Sequence, residues 1–134
     1  MLEGESIFVS WDPEQPGITF SAKYGRILIF KRTLDLLGFP ECYRFLFSPE
    51  DQLFAVQACK ISDEGAHTLP PESIEGDYRV KSMDLVQFVY RVCGWNEKVS
   101  YRAAGAVIPE ENVVQFDLSA ALEIYEGRPI KQIS

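Results

Sequence analysis

Histidine and cysteine are scarce in this sequence, which limits the metal chemistry that it can support. There is one histidine, His67, and there are three cysteines, Cys42, Cys59 and Cys93, with no C-x-x-C pair among them. Because a structural zinc ion needs four such ligands, mostly at short spacings, we predict no metal site. The cysteines are interpreted as reduced thiols, buried or half-buried, and His67 as a solvated side chain in a loop.

Long apolar runs are also missing. No stretch approaches the roughly 18 residues of a membrane-spanning helix, so we predict no membrane association. The first residues, MLEGES, are acidic and lack the basic region and apolar core of a signal peptide. These two features together predict a cytoplasmic protein.

Motifs for catalysis are lacking as well. The sequence has no phosphate-binding loop, no G-x-S-x-G and no nucleophile with an obvious base. Its paired carboxylates lie in predicted turns or in a linker, where acidic residues are ordinary; they are Glu50-Asp51, Asp63-Glu64 and Glu110-Glu111. We therefore predict that the protein is not an enzyme and uses no cofactor.

What the sequence does contain is ample apolar material and strongly segregated charge. Its 134 residues are 46% hydrophobic and 13% aromatic, which predicts one folded domain. The net charge is −7, but its sign alternates along the chain. Residues 1–16 carry −4, 17–47 carry +3, 48–77 carry −6, 78–109 carry +3 and 110–134 carry −3. This pattern leaves room for a basic face opposite an acidic one.

Hydrophobic periodicity predicts a mostly β (α+β) protein. Alternation with period two indicates strands, and apolar spacing of three and four indicates helices. The predicted strands are residues 6–11, 18–22, 26–30, 43–47, 53–58, 78–81, 99–107 and 112–118. The predicted helices are residues 33–37, a longer helix capped by Ser82 and ended by Gly94, and residues 120–126. Residues 60–77 are predicted to be an acidic linker, and residues 130–134 a frayed tail.

The predicted hairpin of residues 43–47 and 53–58 has a good turn sequence at 48–52. It places Cys42 and Cys59 opposite each other near its open end, where facing residues are about 4.5–5.5 Å apart at Cβ. A disulfide there is conceivable in an oxidising solution, and we expect none in a cytosol.

Short segments of the first half recur in the second half. LGFPE at 37–41 matches CGWNE at 93–97, YR at 43–44 matches YR at 101–102, and PED at 49–51 matches PEE at 109–111. We predict two fused β-α-β-β units, 18–59 and 78–118, followed by a short helix and tail at 119–134. A pseudo-twofold would relate the units, which together would close one small barrel or sandwich. The alternative is a chance similarity of two strand–helix–hairpin units.

One stretch resembles a known family. Gly25-Arg26 is followed by the apolar run ILIF, a short helix ending in Leu37-Gly38, and a hairpin. In this order and length, residues 18–58 resemble the AbrB/SpoVT-type swapped-hairpin family, which includes transition-state regulators and MazE-type antitoxin N-domains. Residues 78–118 resemble it more loosely.

The resemblance implies a site and a function. In that family, a dimer interleaves its hairpins, and basic residues near the first hairpin hold DNA. Carried over by position, Lys23 and Arg26 would contact DNA, with Lys31 and Arg32 flanking them. Since the second unit has no Gly-Arg turn before Tyr78, this DNA surface would be asymmetric.

Two functions follow from these observations. The first is a non-enzymatic DNA-binding regulator with a basic face, and the second is a protein-interaction module of the same fold that has lost DNA binding. An exposed aromatic patch involving Trp11, Trp95 or Tyr101 would favour the second function. In either case the four basic residues have an ordinary alternative interpretation as a solvated strand rim. The partner is thus DNA or an unidentified protein, and a homodimer is compatible with both.

Overall fold

The computed structural model describes residues 5–8, 11–125 and 128–133. In chain order the elements are β1 (Glu5–Phe8), β2 (Gly17–Ser21), β3 (Arg26–Ile29), α1 (Lys31–Leu36), β4 (Cys42–Ser48), β5 (Leu53–Cys59), β6 (His67–Thr68), β7 (Tyr78–Lys81), α2 (Met83–Cys93), β8 (Ser100–Ile108), β9 (Val113–Asp117), β10 (Leu122–Tyr125) and β11 (Arg128–Ile133). Short 3₁₀ turns cover Pro71–Glu75, Pro109–Glu111 and Leu118–Ala120. The prediction of a mostly β protein is confirmed.

All strand pairs in the described part of the chain are antiparallel and belong to one curled sheet. The main order is β1-β11-β10-β8-β9-β5-β4-β6. The long strand β8 also pairs with β2, which is followed outward by β3 and then by β7. β8 therefore connects two regions of the sheet. Through β9 it continues to the β4–β5 hairpin, and through β2 it continues to β3 and β7.

Alternating side chains of these strands form a single core. Phe20 of β2 contacts the ring of Phe54 of β5, with 5.0 Å between their centroids. Helix α2 covers the same core, and the Tyr90 hydroxyl bonds to the main-chain oxygens of Phe20 and Val99 at 3.1 and 2.6 Å. The fully buried side chains include Ile18, Phe20, Ile27, Ile29, Leu34, Phe54, Val56, Val86, Val114 and Phe116. The outward positions of the same strands carry polar and charged residues together with a few exposed apolar ones, such as Leu46 and Val107.

The two helices end in the same way. Each is followed by a glycine with positive φ, Gly38 at 75° and Gly94 at 65°. The next residue is aromatic, and its N–H donates to the carbonyl five positions earlier, from Phe39 to Leu34 at 2.9 Å and from Trp95 to Tyr90 at 3.0 Å. This is the Schellman arrangement, which stops a helix and packs the aromatic residue against it.

The two hairpins also match. In β4–β5, Phe45 pairs with Val56, and in β8–β9, Gly105 pairs with Phe116, so each partner is shifted by 60 residues. The two turns contain Pro-acid-acid followed by an amide residue with positive φ, Gln52 at 52° and Asn112 at 54°.

The turn between β2 and β3 depends on Gly25, which has a φ of 59°. A Cβ added there would lie 2.9 Å from the Cα of Met83, at the start of α2. We expect Gly25→Ala to lower the free energy of unfolding by more than about 1 kcal/mol, since both the dihedral strain and the backbone clash oppose it. Gly38→Ala is the matched control, because its φ is 75° but no atom lies within 4 Å of the added Cβ. Urea denaturation of both variants measures the difference, and an equal loss would contradict the role of the Met83 contact.

The C-terminal predictions were wrong. Instead of a helix at 120–126, Leu122–Tyr125 form β10, which pairs with β8 through Leu122 and Arg102. The apolar residues Leu122 and Ile124 alternate with Glu123, a strand pattern that the capping serine and the closing glycine obscured. The tail is not frayed, since Arg128–Ile133 form β11 between β10 and β1. Glu126, Gly127 and Ser134 lie outside the described residues.

Several other predictions need smaller changes. The linker 60–77 contains β6 and a 3₁₀ turn, and His67 lies in β6 opposite Tyr43 rather than in a loop. His67 is exposed as predicted, and its ring stacks on that of Tyr43 at 5.4 Å. Of the predicted strand 6–11, the structure has Glu5–Phe8 as a strand, and residues 9–10 lie outside the described part.

The predicted pairing of Cys42 with Cys59 across the β4–β5 hairpin is confirmed, and both thiols are free. Cys42 is buried and Cys59 is half-buried. Burial, together with the nearby carboxylate of Asp63, raises the pKa of the Cys59 thiol.

Within the described residues, no helix has the length and apolar character that crossing a membrane requires.

Candidate nucleic-acid interface

Two of the predicted DNA contacts lie at the tip of the β2–β3 hairpin. Lys23 is in the turn, and Arg26 is the first residue of β3; both side chains are exposed. The turn is closed by a hydrogen bond from the Gly25 N–H to the Ala22 carbonyl at 3.3 Å. The structure therefore brings Lys23 and Arg26 to one small area.

Strand β7 adds two further basic residues to this area. It pairs with β3 so that Arg26 faces Lys81 and Leu28 faces Arg79. Ile27 of β3 is buried beneath this face, and its partner Val80 is half-buried, so the alternating residues Arg79 and Lys81 point outward with Arg26. We call Lys23, Arg26, Arg79 and Lys81 the basic cluster.

The basic cluster surrounds a groove of about 420 Å³. Its remaining walls are Tyr24, Val80 and Met83. A smaller groove of about 190 Å³ continues from it across the outer face of the sheet, where Thr19, Ser21 and Ser100 line it together with Leu28. The tip of the hairpin thus combines cations, one aromatic ring and a strip of hydroxyl groups.

The basic cluster concentrates positive charge on the neighbouring strands β3 and β7 and the adjoining turn. In the part of the chain that the structure describes, none of its four members forms an ion pair with a carboxylate. A protein of net charge −7 therefore has a local surface of four adjacent cations that no carboxylate of the described residues pairs with. Such a surface attracts anions even when the total charge is negative.

Lys31 and Arg32 lie elsewhere, at the start of α1 and beyond the opposite end of β3. The Arg32 guanidinium bonds to the Asp35 carboxylate at 2.6 Å and lies 3.6 Å from that of Glu14. The Lys31 N–H donates to Asp77 Oδ1 at 2.9 Å. These two basic residues border a groove of about 470 Å³ that also contains three carboxylates, so its charge is mixed.

Arg102 of β8 is a further basic residue on the outer face of the sheet, and its side chain is packed against neighbouring residues. Its guanidinium carbon lies 5.5 Å from the centre of the Trp11 ring and 4.9 Å from that of Phe30. Its Nε donates to Thr19 Oγ1 at 3.0 Å. Burial lowers the pKa of Arg102, and the charge of Asp77 opposes this shift.

The aromatic residues named for a protein-binding patch are packed against their neighbours. Trp95 stacks on Tyr101 with 4.3 Å between ring centroids, and Tyr101 is buried. The Trp11 ring meets Phe30 edge-on at 5.4 Å. These three rings therefore form no exposed aromatic patch.

Sequence reasoning missed Arg79 and Lys81. Their alternation with Tyr78 and Val80 does place them on one face of a strand. What the sequence does not reveal is that β7 pairs with β3, because this contact joins segments about fifty residues apart. The sequence predicts an asymmetric DNA surface that belongs to the first unit. In the structure, this surface receives basic residues from both predicted units.

Among the described residues, no group of three or more histidine, cysteine, aspartate or glutamate side chains is placed to hold a metal ion. Comparisons with protein-family models, curated proteins and solved structures find no match to this chain. The likeness to the AbrB/SpoVT-type family stays a prediction from the sequence.

Proposed function

We propose that this protein is a non-enzymatic DNA-binding regulator and that the basic cluster contacts the DNA backbone. The observation that carries the proposal is the group of four exposed cations on β3, β7 and the adjoining turn, none of them paired with a carboxylate in the described residues. Lysine and arginine at such a surface bind phosphates and release counterions. A cytoplasmic location, predicted from the sequence, suits this role.

The proposal includes the predicted duplication, in which two swapped-hairpin-like units are related by a pseudo-twofold. Three observations support it: the matching helix ends, the matching hairpin registers, and the direct antiparallel pairing of corresponding strands. β5 pairs with β9 around Ala55 and Gln115, which are themselves 60 residues apart. A fused pair of this kind would do in one chain what a homodimer of half-length chains does.

The duplication would relate two of the four members of the basic cluster. β3 pairs with β7 around Ile27 and Val80, so a local twofold at this pair exchanges Arg26 with Arg79. The two arginines would then be corresponding residues of the two units, although only the first follows a glycine. Their contributions to DNA binding should therefore be similar.

Binding by four phosphate contacts has a defined salt dependence. The slope of log affinity against log salt is about −0.7 to −0.9 per neutralised phosphate, which gives about −3 to −4 for the basic cluster. Removing one contact should reduce the slope by about one and weaken binding about 10-fold at about 0.05 M salt.

We expect Arg26→Ala and Arg79→Ala each to weaken DNA binding by about 10-fold at about 0.05 M salt. The probe is a fluorescently labelled DNA duplex with a single-stranded tail, and its sequence is taken from upstream of the protein's own gene. Binding is measured by fluorescence anisotropy and compared with that of a probe of random sequence. Arg91→Ala is the matched control, because Arg91 is exposed on α2 near Phe88 and outside the basic cluster. Equal affinities for all four proteins, or no binding by the wild type at micromolar concentration, would overturn the proposal.

A second candidate function is a protein-interaction module, and the edge of β7 that faces away from β3 favours it. Among the described strands, β7 pairs only with β3. The Ser82 N–H donates to the Gly25 carbonyl at 2.8 Å, so by alternation the main-chain groups of Arg79 and Lys81 face away from β3. An extended acidic peptide could add to this edge. If the DNA probes fail and an acidic peptide binds, this function replaces the first.

A further inference from the structure

Of the residues that line the groove of the basic cluster, Tyr24 is the aromatic one, and half of its surface is exposed. Its exposed fraction is 50%, compared with 2% for the core residue Tyr90. We infer that the basic cluster takes DNA in single-stranded form, with one unpaired base stacked on the ring of Tyr24. This inference rests on the proposed function and specifies the form of DNA that the site recognises.

The ring of Tyr24 lies beside two cations of the basic cluster. The Arg26 guanidinium carbon lies 4.9 Å from the ring centre, and Lys23 Nζ lies 5.4 Å from it. The hairpin tip itself is anchored, since Gly25 is buried against Met83. A base can replace the flexible, exposed lysine over the ring, because an exposed cation–π contact contributes only about 0.5–1 kcal/mol. The result is an aromatic platform with cations beside it.

Such a platform distinguishes unpaired from paired bases. In a duplex the bases already stack on one another, and their flat faces are closed to a protein side chain. In a single strand each base offers a face to an aromatic ring, whatever its identity. A half-exposed tyrosine between cations therefore suits a strand whose bases are free.

The basic cluster is small enough to contact a single phosphodiester backbone. Adjacent strands lie about 4.8 Å apart, and residues two apart along a strand are separated by about 6.6 Å. Arg26, Arg79 and Lys81 occupy neighbouring positions of this lattice on β3 and β7. A single phosphodiester chain fits across such an area, whereas the two backbones beside a duplex major groove are about 12 Å apart.

The adjoining smaller groove supplies a place for the edges of the base. Tyr24, Arg26 and Arg79 line both grooves, so a base stacked on the ring would lie beside the smaller groove, which Ser21 and Ser100 also line. Hydroxyl groups donate and accept hydrogen bonds, so they accommodate different base edges. The site therefore fits an unpaired base with limited sequence preference.

The test compares three labelled probes by anisotropy: a single strand of about twelve nucleotides, the same sequence as a duplex, and inorganic polyphosphate. We expect the wild type to bind the single strand at least about 10-fold more tightly than the duplex. Tyr24→Leu should weaken single-strand binding about 10-fold, Tyr24→Phe should retain it, and polyphosphate binding should be unchanged by Tyr24→Leu. Circular dichroism establishes that the variants are folded.

The outcomes separate this inference from the proposed function. If single strand and duplex bind equally and Tyr24→Leu has no effect, while Arg79→Ala weakens both, the inference is overturned and the DNA-binding function stands. If Tyr24→Phe loses as much affinity as Tyr24→Leu, the hydroxyl group of Tyr24 and not stacking on its ring is responsible for binding, and the inference is overturned. If neither form of DNA binds and only polyphosphate does, the inference and the proposed function both fail.

Discussion

Replacing both Arg26 and Arg79 with glutamate should reduce DNA affinity by at least about 100-fold at about 0.05 M salt. The double variant removes two phosphate contacts and adds two negative charges on adjacent strands of one face. The charge balance of the basic cluster then changes from four cations to two cations and two anions, so little attraction for a polyanion is left. Anisotropy with the tailed duplex probe measures the loss.

The control for this variant is Lys60→Glu combined with Arg91→Glu. Both residues are exposed and lie outside the basic cluster, so the formal charge of the protein changes equally. We expect this control to bind within a few-fold of the wild type. If both double variants lose the same affinity, the total charge and not the basic cluster determines binding, and the site assignment is wrong.

Phe20→Ala should have the largest effect on stability, lowering the free energy of unfolding by about 3–5 kcal/mol. The Phe20 side chain is fully buried and contacts the rings of Phe54 and Trp95, at 5.0 and 5.8 Å between centroids. These contacts connect β2, the β4–β5 hairpin and the end of α2. The truncation leaves a cavity where the sheet and the helix meet, and urea denaturation measures its cost.

Phe88→Ala provides the comparison for the core. Phe88 lies on α2 with 39% of its surface exposed, packed on Phe47 at 5.7 Å. Since less apolar surface returns to water and solvent fills the space, we expect a loss of at most about 1.5 kcal/mol. If Phe20→Ala is as stable as Phe88→Ala, or more stable, then the sheet around Phe20 and the end of α2 do not share one cooperative core.

The proposed DNA binding is compatible with the acidic total charge of the protein. The seven excess negative charges are distributed over the chain, with the stretch 48–77 alone carrying −6. The basic cluster lies on β3, β7 and the turn beside them, outside that stretch. Interactions between exposed charges are screened beyond about 8–10 Å in physiological salt, so acidic residues farther than this from the basic cluster weaken its attraction for a polyanion only slightly.

Local patterns predicted the first strands, the β4–β5 hairpin and both helices close to their observed bounds. Each has a strong local signal, such as the alternation around Phe20 or the glycine stop at Gly94. The pairing of Cys42 with Cys59 was also predictable, because a short turn determines the register of a hairpin.

The C-terminal strands and half of the basic cluster were not predictable in the same way. β10 is a strand because β8 offers it an edge, and its four residues carry too short a pattern to outweigh a serine cap and a closing glycine. Arg79 and Lys81 join Arg26 only through the pairing of β7 with β3. Both cases depend on contacts between distant segments, which a single sequence does not reveal.

The most direct test of the central claim is the salt dependence of DNA binding by the wild type and by a variant with all four basic-cluster residues changed to alanine. Anisotropy of the tailed duplex probe is titrated at several salt concentrations between about 0.05 and 0.2 M. We expect a wild-type slope of about −3 to −4 and a slope near zero for the variant. Wild-type protein that does not bind, or a variant that keeps the wild-type slope, would contradict the assignment of the basic cluster as the DNA-binding surface.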